Sequence, residues 1–322
     1  MLIDEGAVIL ERLRIARGFN SQEKFVDDIC DVRQYQRYLS GVSSMPSEIF
    51  ISLIARLNMS IEEVLKFYLD TTKKEKKIVQ SLYNRLLSDQ LEGIDILIKD
   101  LNQSIFIERT DRILFTFCTY LYDYKNKRLL KTDFIDRVKD LIDFDRLMSF
   151  EIISIYEMLI LSNINTDLNP TDRQLVIDKL SKALKSYEIN DLSSLDYYLI
   201  IMYTVIRIHG TDNKLSEAID LCNLGVSLSS QYHHFYLLAH LYYLKAYYFQ
   251  KLDNTIERDE NIQLSIVTLE IGLKNQLTTK IRRLIEQEFD INIFDFEIGY
   301  WENKKRTVPV TPYAHLSTRS SQ

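Results

Sequence analysis

The sequence predicts an all-α protein, built from a small helix-turn-helix domain and a longer solenoid of helical repeats. Apolar residues recur at intervals of three and four in almost every segment, whereas the strict alternation typical of strands is nearly absent. The 322 residues include only 8 Gly and 4 Pro, which leaves few positions for tight turns. Candidate helices begin at Arg109, Ser149, Leu195 and Phe235, a spacing of about forty residues that is typical of stacked helix hairpins.

Three regions follow one another along the chain. Residues 1–70 form short helical stretches, residues 71–303 form longer ones, and residues 304–322 are rich in Ser and Thr, which predicts a polar tail. The lysine-rich segment 73–77 is interpreted as a solvated linker helix. In the second region we predict helices near 74–90, 92–103, 108–125, 133–145, 149–163, 171–187, 194–209, 214–230, 233–252, 259–275 and 279–290. Segments 183–187, 218–228 and 268–273 resemble second helices of tetratricopeptide-like units.

Composition excludes several classes of protein. A formal net charge of -6 argues against a protein that coats nucleic acid, so that any DNA-binding surface must be local. The three cysteines, Cys30, Cys118 and Cys222, are too few and too far apart to indicate a disulfide framework or a metal site. The acidic start lacks the basic residues of a secretory signal, and no apolar run approaches the ~20 residues of a membrane span. We therefore expect a cytoplasmic protein with no membrane partner.

The first seventy residues predict a DNA-binding helix pair. Helix one runs from about Ala7 to Arg17 with Ile9, Leu10 and Leu13 buried, and Gly18 ends it. Ser21 caps helix two, whose apolar face carries Phe25 and Ile29, and a break follows near Cys30 and Asp31. Helix three spans about Val32 to Leu39, and Gly41 ends it.

Helix three carries residue types that read bases. Its apolar positions Val32, Tyr35 and Leu39 are three and four apart, which turns the remaining polar side chains outward. The outward residues are Arg33, Gln34, Gln36 and Arg37. Arg suits the paired acceptors of guanine and Gln suits the acceptor and donor of adenine, so a short helix presenting them fits the major groove.

These residues carry a resemblance to a known family. Ser21-Gln22-Glu23, the outward set of helix three, Gly41 and the later stretch 57–65 (LNMSIEEVL) resemble the lambda-repressor-like (XRE-type) domain. Together with a helical-repeat body of this length, the chain resembles the Rgg, PlcR and PrgX (RRNPP) class of peptide-pheromone receptors. The resemblance implies that Gln22 binds phosphate and that the helix-three set meets bases or backbone. The sequence departs from the XRE-type pattern at two positions. Cys30 lies where many such domains have Gly at the turn, and Leu39 lies where they commonly have an acidic residue.

The charge of this first domain bears on its assembly. Asp27, Asp28 and Asp31 lie beside the proposed reading helix, so the domain is poorly basic. Because phosphate neutralisation supplies much of the binding free energy, such a domain favours pairing two copies on one operator. We expect a homodimer bound to double-stranded operator DNA.

The second region offers candidate residues for a ligand. A concave solenoid face that binds an extended peptide needs polar groups for the backbone and aromatic walls for the side chains, and Tyr is abundant, at 20 residues. The candidates that share helix stripes are Tyr156, Asn163, Tyr203, Arg207, His240, Tyr243 and Tyr247. Individually, such Tyr residues are more often core residues with a hydrated hydroxyl. By the resemblance, the ligand is a short signalling peptide that alters the spacing of the two DNA-binding domains.

Nothing in the sequence predicts an enzyme. The five histidines form no paired metal-ligand spacing, the glycines form no phosphate-binding loop, and no serine lies in a nucleophile-elbow context. We therefore expect neither a catalytic site nor a metal or other cofactor. The alternative to a peptide-controlled regulator is a helical-repeat scaffold or anti-regulator that binds another protein without binding operator DNA.

Overall fold

The structure is a computed structural model that describes residues 2–102, 106–189, 192–235, 237–271 and 276–307. The described ranges contain seventeen α-helices and no strand, which confirms the all-α prediction. In chain order the helices are α1 (Leu2–Ala16), α2 (Gln22–Val26), α3 (Val32–Leu39), α4 (Ser47–Arg56), α5 (Ile61–Leu87), α6 (Ile94–Asn102), α7 (Arg109–Lys125), α8 (Lys131–Ile142), α9 (Phe144–Ser149), α10 (Ile155–Ile164), α11 (Pro170–Ser186), α12 (Leu192–Thr211), α13 (Leu215–Gln231), α14 (Leu238–Lys251), α15 (Thr255–Ile271), α16 (Gln276–Phe289) and α17 (Ile293–Thr307). Within those ranges, no helix has the length and apolarity needed to cross a bilayer.

The chain divides into two compact units. The first contains Met1–Glu151 with Thr166–Asn169, and the second contains Ile152–Asn165 with Pro170–Gln322. Helix α5 begins at Ile61 and runs without interruption through the segment 73–77, which the sequence analysis interprets as a linker helix. The first compact unit therefore joins the short N-terminal helices to α6–α9, and the division into domains at residue 70 stays a prediction.

Helices α1–α5 surround one apolar cluster. Leu10 of α1, Phe25 of α2, Tyr35 of α3 and Leu53 of α4 are fully buried in it. A side chain of this size contributes about 1.5–3 kcal/mol when it leaves water, so four short helices that could not persist alone are held together by this cluster. The cluster fixes which face of each helix turns outward.

Helix α5 begins at a locally encoded turn. Asn58 has a left-handed backbone (φ 53) and lies in the turn that connects α4 to α5. Ser60 and Glu63 then form a reciprocal capping box, in which the Glu63 N–H donates to Ser60 Oγ at 3.2 Å and the Ser60 N–H donates to Glu63 Oε2 at 2.7 Å. The stretch 57–65 is therefore a helix end, a turn and a new helix start.

The second compact unit is a series of helix hairpins. Helices α10, α12, α14 and α16 each contact the next member of this set, and each also packs against the helix that follows it in the chain. This arrangement is the helical-repeat solenoid that the spacing of about forty residues predicts. Gly225 of α13 allows α14 to approach closely, since a Cβ there would lie 2.8 Å from Leu241 of α14.

Some predicted boundaries are wrong. The predicted helix near 149–163 begins only at Ile155, where Ser154 caps α10 with Glu157. The predicted helix near 133–145 ends at Ile142, because Asp143 adopts a left-handed conformation (φ 50) that separates α8 from α9. Helix α14 begins at Leu238 rather than at residue 233. Helix α17 was not predicted and includes residues 304–307, which the sequence assigned to the polar tail; the rest of that tail, 308–322, lies outside the described residues.

Candidate nucleic-acid interface and helical-repeat groove

Helices α2 and α3 are each capped by the side chain that precedes them. Ser21 Oγ accepts from the Lys24 N–H at 3.2 Å, and Asp31 Oδ1 accepts from the Arg33 N–H at 2.7 Å. The left-handed residue of the intervening turn is Asp28 (φ 59), not Cys30. A glycine is therefore not required at position 30, since an Asp adopts this conformation more readily than most residues.

Aromatic packing sets the orientation of α3. Tyr35 is fully buried, and its ring meets that of Phe25 edge-on at 5.9 Å between centroids. Phe19 packs on the other side of Phe25 at 5.5 Å. Tyr38, one turn further along α3, is buried as well. With Tyr35 and Tyr38 inside, the opposite face of the helix points to solvent.

The structure places the predicted reading residues as follows. Arg33, Gln36 and Arg37 are exposed on the outer face of α3, and Gln34 is half-buried, with its Nε2 donating to Ser43 Oγ at 3.2 Å. Gln22, the first residue of α2, is half-buried and adjoins Gln36, whose Nε2 lies 3.5 Å from Gln22 Oε1. Two guanidinium groups and one amide thus share a solvent-facing surface that can meet base edges and phosphates.

A buried carboxylate lies beneath this surface. Glu11 of α1 is 5% exposed and accepts two 2.8 Å hydrogen bonds from the Arg14 guanidinium. It also accepts from Gln22 Nε2 at 2.9 Å and from the Tyr35 hydroxyl at 3.3 Å. Burial opposes ionisation of Glu11, but the hydrogen bonds from Arg14 and Gln22 outweigh it and lower the pKa of Glu11.

Sequence reasoning did not identify Glu11. The available signal was a Glu and an Arg spaced i, i+3 on the same helix as Leu10 and Leu13, which places both charged groups near the apolar face. That spacing is common on solvated helices, so it did not single out this pair.

In the second unit, the predicted groove residues of α12 and α14 come together. The Tyr203 and His240 rings meet edge-on at 5.8 Å, and the Arg207 guanidinium lies over the Tyr203 ring at 5.8 Å. Tyr243 packs edge-on against Phe289 of α16 at 6.0 Å. Tyr247, one turn further along α14, is half-buried under the Lys251 ammonium at 4.7 Å. Aromatic side chains of α12 and α14 therefore lie close together, and each helix places one cation, Arg207 or Lys251, over a ring.

Tyr156 and Asn163 lie on α10 and belong to a different environment. Tyr156 is buried against Tyr197 at 5.7 Å between ring centroids, and Asn163 donates from Nδ2 to the Leu159 carbonyl of its own helix at 2.8 Å. Tyr197 precedes Tyr203 by six residues, or about 9 Å along α12. Tyr156 thus packs in the core at the other end of α12, which is the alternative that sequence reasoning weighed for such residues.

Electrostatics of the α12–α14 cluster favour a neutral imidazole. Burial, followed by the nearby Lys280 ammonium, lowers the pKa of His240 to about 4. Burial also raises the pKa of Tyr203. Lys280 and Phe289 were not among the predicted residues, although both belong to α16, the next helix of the repeat series.

Among the residues that the structure describes, no group of three His, Cys, Asp or Glu side chains is placed to hold a metal ion.

No protein-family model matches the chain, and no curated protein matches its sequence significantly. Solved structures share its fold. The apo form of the competence regulator ComR from Streptococcus vestibularis is 15% identical, with a TM-score of 0.54 over 89% of this chain and 99% of that chain. PlcR from Bacillus thuringiensis, in complex with the peptide PapR7 and DNA, is 16% identical, with a TM-score of 0.53 over 88% and 99%. ComR from S. vestibularis with its signalling peptide XIP gives 16% and 0.53 over 89% and 99%.

Proposed function

We propose that the chain is a DNA-binding transcriptional regulator controlled by a short signalling peptide, and not an enzyme. The observation that carries the proposal is the outward set of Arg33, Gln36 and Arg37 on a capped, aromatically anchored α3. The likeness in fold to PlcR, which binds a peptide and DNA in one complex, supports the combination of both activities in one chain.

In the DNA-binding part, α3 enters the major groove. Arg33 and Arg37 are one turn apart and donate to guanine or to phosphate, and Gln36 pairs with adenine. Gln34 and Gln22 lie at the edge of this contact surface and support it. Asp27, Asp28 and Asp31 flank α3, so single half-sites are bound weakly. A homodimer that presents two copies of α3 compensates for this.

In the peptide-binding part, the cluster on α12 and α14 forms one wall of the site. Arg207 and Lys251 attract a terminal or side-chain carboxylate, while Tyr203, His240, Tyr243 and Tyr247 pack against apolar side chains. Peptide binding favours one arrangement of the helical repeats or of the dimer and so alters the spacing of the two reading helices.

The proposal is tested with the full chain and duplex DNA from upstream of its own gene. Fluorescence anisotropy is measured with and without synthetic short peptides encoded near the gene, with scrambled peptides as controls. We expect DNA binding that Arg33→Ala with Arg37→Ala abolishes, and a change in DNA affinity that the native peptide produces and its scrambled form does not. Retention of DNA binding in the double variant counts against the regulator and in favour of a protein-binding scaffold.

Peptide binding is tested separately by calorimetry on the wild type and on Arg207→Ala. Heat of binding that Arg207→Ala weakens supports the α12–α14 site. If every candidate peptide gives no heat while DNA still binds, peptide control is wrong and the DNA-binding part stands.

A further inference from the structure

The buried Glu11 carboxylate is linked by hydrogen bonds, through Gln22, to Gln36 on the exposed face of α3. It contacts three helices of the N-terminal cluster: its own α1 through Arg14, α2 through Gln22 and α3 through Tyr35. Helix α3 contains no acidic residue, and Leu39 stands where the XRE-type pattern commonly has one. The carboxylate that pairs with Arg14 is Glu11 of α1, and it lies 2.9 Å from the Gln22 amide.

An ionised carboxylate only accepts hydrogen bonds, so it determines which end of a neighbouring amide faces it. Glu11 is ionised at neutral pH because Arg14, Gln22 and Tyr35 all donate to it. Gln22 must then turn Nε2 inward, at 2.9 Å from Glu11, and its Oε1 outward. That orientation presents an acceptor to the next side chain, Gln36.

The outward Gln22 Oε1 orders the amide of Gln36 in the same way. Gln36 Nε2 lies 3.5 Å from Gln22 Oε1 and donates one of its two hydrogens to it. Gln36 keeps its second N–H and its Oε1 for a partner on the solvent side. This is the donor and acceptor pair that adenine matches with N7 and N6 in the major groove.

We propose that Glu11 is a positioning residue that sets the base preference of Gln36 through Gln22. The inference rests on the proposed DNA-binding function, and it adds a residue that never touches DNA to those that determine the operator sequence. Without the carboxylate, either end of the Gln22 amide can face inward, and Gln36 loses its fixed orientation.

The experiment is selection from a randomised duplex library by the full-length protein, followed by anisotropy on the enriched duplex and on versions changed at single positions. Gln36→Ala identifies the position that Gln36 reads, as the one whose preference disappears. We expect adenine there in the wild type, preferred over other bases by about tenfold.

Two variants interrupt the chain of hydrogen bonds at different points. Glu11→Gln removes the charge, and Gln22→Leu removes the amide while leaving the Glu11–Arg14 ion pair intact, so it serves even if Glu11→Gln does not fold. We expect both to remove most of the adenine preference while the preferences at positions read by Arg33 and Arg37 stay. Glu63→Gln is the matched control, because Gln also satisfies the capping box of α5 and Glu63 lies on the surface. It should leave the enriched sequence unchanged.

The possible failures are distinguishable. If the wild type enriches no sequence, the proposed DNA-binding function is wrong. If it enriches a sequence and Gln22→Leu retains the full adenine preference, or if the position read by Gln36 does not favour adenine, the role of Glu11 is wrong and the DNA-binding function stands. A purely structural role of Glu11 would lower affinity for all duplexes equally and would leave the base preferences unchanged.

Discussion

Arg33 and Arg37 differ from Gln22, Gln34 and Gln36, the other residues of the proposed DNA-binding surface, in carrying full charge at exposed positions one turn apart on α3. A guanidinium that donates to a guanine supplies about 1–3 kcal/mol of discrimination, whereas one that contacts phosphate supplies affinity without preference.

Single substitutions therefore separate the two roles. We expect Arg33→Ala or Arg37→Ala to weaken binding to the enriched duplex by about 1–3 kcal/mol, measured by anisotropy at fixed salt. If the residue reads a base, the preference at one position relaxes. If it meets phosphate, the affinity falls for all duplexes and the dependence on salt becomes shallower. Arg17→Ala, an exposed position just after α1, serves as the control and should change neither property.

His240 makes the second unit sensitive to pH. Its folded-state pKa is about 4, whereas the unfolded value is 6.5, so between these limits the unfolded chain binds a proton that the folded chain does not. Stability is therefore unaffected above pH 6.5 and falls as the pH decreases toward 4. We expect a penalty of about 1–2 kcal/mol at pH 5 from this residue.

Thermal melts at pH 7 and pH 5 measure this penalty. The wild type should lose more stability than His240→Gln on moving to pH 5, because glutamine does not titrate. His233→Gln, at an exposed histidine, is the matched control and should behave as the wild type does. An equal loss in His240→Gln and the wild type would contradict the assignment.

Of the four residues of α3 that the sequence turns outward, Arg33, Gln36 and Arg37 are exposed, because their exposure follows from the period of one helix, whereas Gln34 is half-buried against Ser43. The sequence did not identify Glu11, since Glu11 meets Gln22 and Tyr35 only through tertiary packing, across 11 and 24 residues of chain. Tyr156 shares a stripe with Asn163 in the sequence, yet its ring packs on Tyr197 of α12, which no single-helix pattern contains.

Helices α12 and α14 approach each other closely at Gly210. A Cβ on Gly210 would lie 2.6 Å from Cζ of Tyr248, which is closer than packed atoms tolerate. The Tyr248 ring cannot move freely, because it is buried and its hydroxyl donates to the Ile206 carbonyl at 3.1 Å. Gly210 therefore sets the spacing of the two helices that carry the proposed peptide-binding residues.

Gly210→Ala should destabilise the protein by about 1–3 kcal/mol, the usual cost of overpacking, and should weaken peptide binding because α12 and α14 move apart. Chemical denaturation and calorimetry measure the two effects. Gly299→Ala in α17 is the matched control, since no atom lies within 4 Å of its Cβ position, and it should stabilise the helix slightly, by about 0.5–1 kcal/mol. A neutral Gly210→Ala would mean that the two helices are not held at this distance.

Most helices of both units were predictable, because long apolar periods and caps such as Ser60 with Glu63 are local signals. The division between α8 and α9 could not be predicted. Asp143, which separates them, adopts a left-handed conformation that Gly usually adopts, and no Gly marks this position. Helix α17 was missed because Phe294, Ile298 and Trp301 form an exposed stripe on a helix with little buried surface.

The exposed apolar stripe of α17 is relevant to the oligomeric state of the protein. Phe294 is 70% exposed, and Ile298 and Trp301 are each 47% exposed, at positions i, i+4 and i+7 of one helix face. An apolar stripe of this kind on the surface is typical of a protein–protein contact. The proposed homodimer requires such a contact, and a second copy of α17 offers a matching apolar face by two-fold symmetry.

We therefore expect Phe294→Ser with Ile298→Ser to shift the protein from dimer to monomer, measured by light scattering coupled to size exclusion across a range of concentrations. Binding to a duplex with two half-sites should weaken strongly, while binding to one half-site should stay the same, because the reading helix is untouched. Ile256→Ser, at a position of α15 that is 79% exposed, controls for the loss of an apolar surface residue and should remain dimeric. A wild type that is monomeric at every concentration would contradict the homodimer itself. A double variant that stays dimeric would place the interface elsewhere on the chain.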